Sequence, residues 1–280
     1  MPRGTLAVIA TDTSSDRETV AAAVRIAEAE DAHLDIHGLG IEMVLPEAYV
    51  SGAAGVLARP DLAAAEKRVE DLEAELQMLA PTTRAEVQVH RHVVLQDALA
   101  SKVVELLRFA DRAVLTAPSP GEPLDQLQLV ESALFAGRCP AVVLPTDPLP
   151  AAAPRPERVV LAWDDSDPAL AAARAALPLM RRAGGVEVVL VDPPAQARDR
   201  SDPGGAIAQF LARHGLRVEV TVLARTRRRI SDVLRRHVLE TGADALVMGA
   251  WGHSRLREAV FGGTTRDLLA DPPVPLWLAR

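Results

Sequence analysis

The six residues Ala110-Asp111-Arg112-Ala113-Val114-Leu115 return 133 positions later as Ala243-Asp244-Ala245-Leu246-Val247-Met248. An earlier echo pairs Thr11-Asp12-Thr13-Ser14 with Trp163-Asp164-Asp165-Ser166. Between the copies, residues 145–156 hold five prolines. Proline fixes φ and lacks an N–H, so this stretch cannot join a helix or a central strand and reads as a semi-rigid linker. Repeats of this length mean duplicated domains rather than a solenoid, whose units run to roughly 20–50 residues. The duplication places one domain at 1–147 and a second at 157–280, and requires both to reach the same fold.

Each half alternates short apolar runs with amphipathic stretches. In the first, strands are expected at 6–10, 34–39, 84–90, 112–116 and 141–144. Helices are expected at 16–30, 61–79, 97–109 and 123–136, and 43–60 reads as a long loop. The 61–79 helix is the clearest, with Leu62, Ala65, Val69, Leu72, Leu76 and Leu79 at three-four spacing. Such a stripe packs on the domain's own sheet or on a coiled-coil partner; the first is favoured here. After the linker, strands are expected at 158–163, 186–191, 216–223, 244–248 and 274–278. Helices are expected at 168–182, within 202–214, at 230–240 and from 264 to 270. Strands separated by helices make βαβ units and a parallel sheet. The fold class is therefore α/β: two tandem five-stranded, Rossmann-like parallel-sheet domains. Each ends in a short apolar strand whose unpaired edge invites antiparallel pairing with the other, giving an internal pseudo-dimer.

Composition excludes several classes. A net charge of -7 argues against a general nucleic-acid binder, which depends on clustered positive charge. No apolar run approaches the ~18 residues of a membrane span, and Leu6 to Ala10 is too short for a signal-peptide core. The single cysteine, Cys139, rules out an internal disulfide and fits the cytoplasm, as a structural residue rather than a nucleophile. The histidines show no paired ligand spacing, so no zinc site is expected. The basic cluster Arg225-Thr226-Arg227-Arg228-Arg229 can clamp an anion, but between a strand and a helix it reads better as a solvated loop.

The chemistry concentrates at Gly249-Ala250-Trp251-Gly252, followed after nine residues by Gly262-Gly263-Thr264-Thr265. Glycines at a strand's C-terminal end let backbone approach a ligand, and a helix start offers free N–H groups to an anion. The spacing matches neither the dinucleotide G-x-G-x-x-G nor the P-loop. Asp164 and Asp165, ending the first strand of the second copy, can cap a helix, take a ribose hydroxyl or coordinate Mg²⁺. Asp12, in the other copy, reads as a cap.

G-x2-G-x9-G followed by small hydroxyl residues resembles the nucleotide-binding signature of the universal stress protein family. The flanking 242–249 and 273–278 are similar to that family's closing strand–loop–helix–strand. The resemblance implies an adenine nucleotide, ATP, as ligand. Asp164 would lie near the nucleotide, Val191 backbone would meet adenine, and Gly249, Gly252 and Gly262 would hold ribose and phosphates. His253 adjoins this loop as a further contact. The chain departs from the motif by placing Gly263 where a hydroxyl residue is expected, with Thr264 and Thr265 following.

At the constant offset, Thr116 falls opposite Gly249, Leu129 opposite Gly262 and Glu131 opposite Thr264. The first copy thus lacks the glycines and adds an acid, so one nucleotide per chain is expected. The leading reading is a cytoplasmic nucleotide-binding stress or regulatory protein without efficient catalysis, with unidentified protein partners and further homo-oligomerisation left open. The alternative is an interaction scaffold whose loop is a relic. An ATP-dependent activating enzyme of related fold is weakened because no HxGH or SGGxDS motif is present.

Overall fold

A computed structural model describes residues 4–42, 62–79, 83–118, 125–146, 156–193, 202–250 and 263–280. The first half runs β1 (Thr5–Ala10), α1 (Thr13–Glu30), β2 (His33–Glu42), α2 (Leu62–Leu79), β3 (Val87–Leu95), α3 (Leu99–Leu107), β4 (Arg112–Thr116), α4 (Asp125–Glu131) and β5 (Ala141–Leu144). A 3-10 turn, Gln96–Ala98, leads into α3, and a π turn, Ser132–Ala136, prolongs α4. The second half runs β6 (Arg158–Ala162), α5 (Asp167–Ala175), α6 (Leu177–Met180), β7 (Gly185–Val191), α7 (Gly205–Arg213), β8 (Val218–Leu223), α8 (Ile230–Thr241), β9 (Ala245–Gly249), α9 (Thr264–Ala270) and β10 (Leu276–Ala279).

All ten strands form one sheet in the order β3-β2-β1-β4-β5-β10-β9-β6-β7-β8. Each half therefore has the same internal order, and every pairing within a half is parallel. The halves meet where β5 and β10 pair antiparallel, Trp277 opposite Val142 and Leu278 opposite Ala141. The expected edge-to-edge pseudo-dimer is what forms, and both short strands end up in the middle of the sheet.

Side chains alternate across the strands into two cores, one on each face. Leu6, Val8, Leu34, Ile36, Val159, Leu161, Val247 and Trp277 share one face with α1, α2 and α5. Ala7, Ile9, Leu115, Val160, Leu246 and Leu278 share the other with α3, α4, α8 and α9. The leucine stripe of α2 packs on β2 and β3 of its own sheet, Leu76 being fully buried. Each buried leucine contributes about 1.5–3 kcal/mol.

A polar knot also ties the halves together. The Glu30 carboxylate takes both Arg112, at 3.2 Å and through a second shorter contact, and Arg182 of the other half at 2.8 Å. The Arg112 guanidinium lies 4.8 Å from the Trp277 ring centre, and Arg280 lies 4.3 Å from that of Phe135. These cation–π contacts cross the seam from opposite sides of the chain.

Several expected boundaries shift for physical reasons. The 168–182 helix breaks after Ala175, because Pro178 opens a separate turn, α6, and has no N–H to continue the ladder. Strand β3 begins and ends later than 84–90. The final strand starts at Leu276, behind Pro272, Pro273 and Pro275. Its register to β9 (Leu276 with Leu246) matches β5 to β4 (Ala141 with Ala113) only at an offset of 135. The constant offset of 133 thus holds for β4 and β9 and fails beyond them, so the pairings of Leu129 and Glu131 do not stand as drawn. The 43–60 loop and most of the linker lie outside the described residues.

Candidate functional site

Strands β6, β7 and β9 end side by side, and α8 and α9 close over one face of those ends. Between them lies a pocket of about 180 Å³ lined by Ala162, Trp163, Asp164, Val189, Val191, Ile230, Leu234, Met248, Gly249, Thr264 and Thr265. A crevice at the carboxyl ends of parallel strands is where open α/β sheets take ligands. Of the expected site residues, Asp164, Val191, Gly249, Thr264 and Thr265 converge here. Gly263 immediately precedes α9 as its cap, in extended conformation. Gly252, His253 and Gly262 lie outside the described residues.

The pocket has an apolar wall and a polar rim. Val189, Val191, Ile230, Leu234 and Met248 form the wall. Asp164 at the rim is exposed, and its Oδ1 accepts from Ser166 N (3.2 Å) and Ser166 Oγ (2.6 Å). Ser166, not Asp164 or Asp165, caps α5 by accepting from Ala169 N. Asp165, three residues past β6, and Asp192, directly after β7, both hold left-handed backbone, φ 61° and 48°. Non-glycine residues bear strain there, and such strain collects at ligand sites. Among the described residues no three His, Cys, Asp or Glu side chains assemble a metal site, so the Mg²⁺ reading of Asp164 and Asp165 gains nothing from the geometry.

Gly249 is glycine for a reason the sequence did not reveal. A Cβ there would sit 2.6 Å from Ala169 N and 2.8 Å from Pro168 C. The missing side chain makes room for the first turn of α5, not only for a ligand. Asp267 then anchors α9 beside the pocket, taking Arg229 at 3.0 Å and Ser231 Oγ at 2.8 Å. Arg229 of the basic cluster is thereby committed to a structural pair.

The matching place in the first half carries different side chains. Thr116 stands where β9 has Gly249, and its hydroxyl bonds both Thr19 Oγ1 (2.8 Å) and the Asp16 carboxylate. Asp16 is fully buried and also accepts from Thr11 N (2.7 Å) and Asp12 N (3.2 Å), with Gln126 Nε2 at 3.4 Å. Asp12 caps α1, as expected, by accepting from Ser14 N. Leu129 is buried within α4, which starts several residues before the place where α9 begins. Glu131 lies at the end of α4 rather than at a helix start, so the added acid does not stand where α9 opens. Asp16, bonded to Thr116 and Gln126, stands beside the end of β4 instead. Asp16 lies four residues after the cap, a place that gives no local sign of burial.

Comparison with known proteins follows the same division. Residues 156–280 match the profile of the Universal stress protein family. They are a universal stress protein domain. The whole chain superposes on a universal stress protein from Archaeoglobus fulgidus DSM 4304 with a TM-score of 0.72 at 13% identity, covering 98% of this chain and 96% of that one. A universal stress protein from Pseudomonas aeruginosa UCBPP-PA14 gives 0.53 at 14% identity, over 99% and 92%. A functionally unknown protein from Pseudomonas aeruginosa PAO1 gives 0.53 at 15%, over 99% and 92%. At these identities the likeness shows the fold, and it extends the universal stress protein architecture to both halves. No match was found among curated proteins. No helix among the described residues is long and apolar enough to cross a membrane.

Proposed function

We propose that the second half, taken as the domain 157–280, binds one adenine nucleotide, ATP, and that the chain acts as a regulatory universal stress protein without efficient catalysis. The observation that carries this reading is the convergence of Asp164, Val191, Gly249, Thr264 and Thr265 on one pocket at the strand ends. The apolar wall from Val189 to Met248 suits the faces of a purine. Asp164 keeps Oδ2 for a donor, which fits a ribose hydroxyl better than a phosphate. The phosphates then run toward Gly249 and the hydroxyls of Thr264 and Thr265, with Gly252, His253 and Gly262 expected beside them. Asp164 is the one titratable side chain among the described lining residues, and no lysine or arginine joins it there. Phosphoryl transfer relies on cations to neutralise developing charge, so turnover is expected to be slow at most.

Mass spectrometry of ligands released from the denatured full-length protein, with calorimetric titration of ATP, tests the reading. The expected result is one nucleotide per chain, lost in Gly262→Leu and weakened in Asp164→Ala. A stoichiometry of two would sink the one-site assignment. No binding at saturating ATP would favour the scaffold reading.

A further inference from the structure

The first half carries a chemistry of its own, far along the sheet from the pocket. Strands β2 and β3 place His33, Asp35 and His37 beside His90 and His92 on one face, His37 opposite His90 in the register. The ring centres of His37, His90 and His92 are 5.2, 5.4 and 6.4 Å apart. His37 is 6% exposed, and its Nδ1 lies 3.3 Å from His92 Nε2. The other ring nitrogen of His37 is buried without a partner.

We infer that this cluster is an acid-operated latch: proton uptake by the His37–His92 pair releases β3 from β2.

The geometry gives the mechanism. A hydrogen bond between two imidazoles needs one ring to accept, so it survives with at most one extra proton on the pair. When both rings are charged, two N–H groups point at each other across 3.3 Å. The groups around the pair do little to offset this. On β2, Asp35 is already shared by His33 and His90, each at 3.2 Å. Glu86 lies 4.0 Å from His33, at the far end of the cluster. From α3, Lys102 adds a positive charge, and Glu105 is paired to that lysine at 2.9 Å while remaining well exposed. From β1, the neighbour of His37 is Ile9, which is apolar.

Burial, then repulsion from His92 and His90, holds His37 down at about 4. Burial and Lys102 lower His92 as well. For a histidine whose folded value is depressed, the stabilisation is present above the unfolded value and lost as pH falls toward the folded one. The window is therefore from 6.5 down to about 4. Protonation of His37 alone favours opening by up to roughly 300-fold across that window, the ratio implied by its lowered affinity for protons. β3 is the end strand of the sheet, so its release breaks a single ladder and bares the β2 edge for pairing.

Hydrogen exchange on the full chain, corrected for its intrinsic pH dependence, reads the latch segment by segment. Between pH 7 and 4.5 the wild type should lose protection in 87–95 while 185–191 and 245–249 keep theirs. His37→Gln keeps a hydrogen-bonding amide beside His92 but cannot charge, and should blunt that loss at least tenfold. NMR titration of the His37 ring provides a second reading that does not depend on any variant. Equal loss of protection in the variant, or a His37 ring that titrates near 6.5, would overturn the inference.

Discussion

Replacing Gly249 by alanine tests both the packing and the pocket at once. An added Cβ would stand 2.6 Å from Ala169 N, against ordinary contact from 3.4 Å, so the first turn of α5 must retreat by about 0.8 Å. The obstacles are backbone atoms of Pro168 and Ala169 and cannot rotate away. Overpacking of this kind costs about 1–3 kcal/mol. For large domains each kcal/mol corresponds to about 2–4 °C in Tm, so Gly249→Ala should melt several degrees below wild type. The retreat also drags the Asp164–Ser166 turn, which is joined to α5, and ATP affinity should fall. Differential scanning calorimetry and ATP titration read the two effects. A variant as stable as wild type would refute the argument that α5 needs the vacancy. Affinity unchanged despite a lowered Tm would refute the coupling between that helix and the pocket.

Three other outcomes follow from side chains described above. Glu30→Ala leaves the Arg112 and Arg182 guanidinium groups without their shared carboxylate; breaking a buried pair costs about 3–5 kcal/mol, measurable as a shift in the urea midpoint. Asp16→Ala strips the acceptor from two backbone N–H groups and Thr116, at about 1–3 kcal/mol for each buried donor left unpaired, and ATP affinity in the other half should not change. Burial pushes the Cys139 thiol up to about 11, so iodoacetamide at pH 8 should alkylate the native protein roughly 100-fold more slowly than the unfolded chain.

Much of the architecture was legible because it rests on local pattern. The 112–116 and 141–144 strands, and the helix from 264 to 270, fall where apolar runs and turn residues put them. What was hidden depends on pairs of distant residues. Nothing local marks Asp16 as buried, since its partners Thr116 and Gln126 lie 100 and 110 positions away. The histidines at 33 and 37 lie on β2 and those at 90 and 92 on β3, and only the register of the two strands brings them together. In the pocket, Ile230, Leu234 and Met248 looked like ordinary core residues. Their part in the wall depends on where the strands stop. The break at Pro178, by contrast, was available from the sequence, because a proline eleven residues into a helix removes a ladder bond wherever it occurs.

The antiparallel seam of β5 on β10 has an evolutionary consequence. In a dimer of two identical chains, any substitution is made twice, once in each copy, and symmetry keeps the two sites alike. Here a covalent linker joins the partners, so the seam forms at any dilution and its two sides are encoded separately. Position 116 is free to become threonine while position 249 stays glycine. One half can set a buried aspartate beside that strand end, and fill its outer strands with histidines, at no cost to the other.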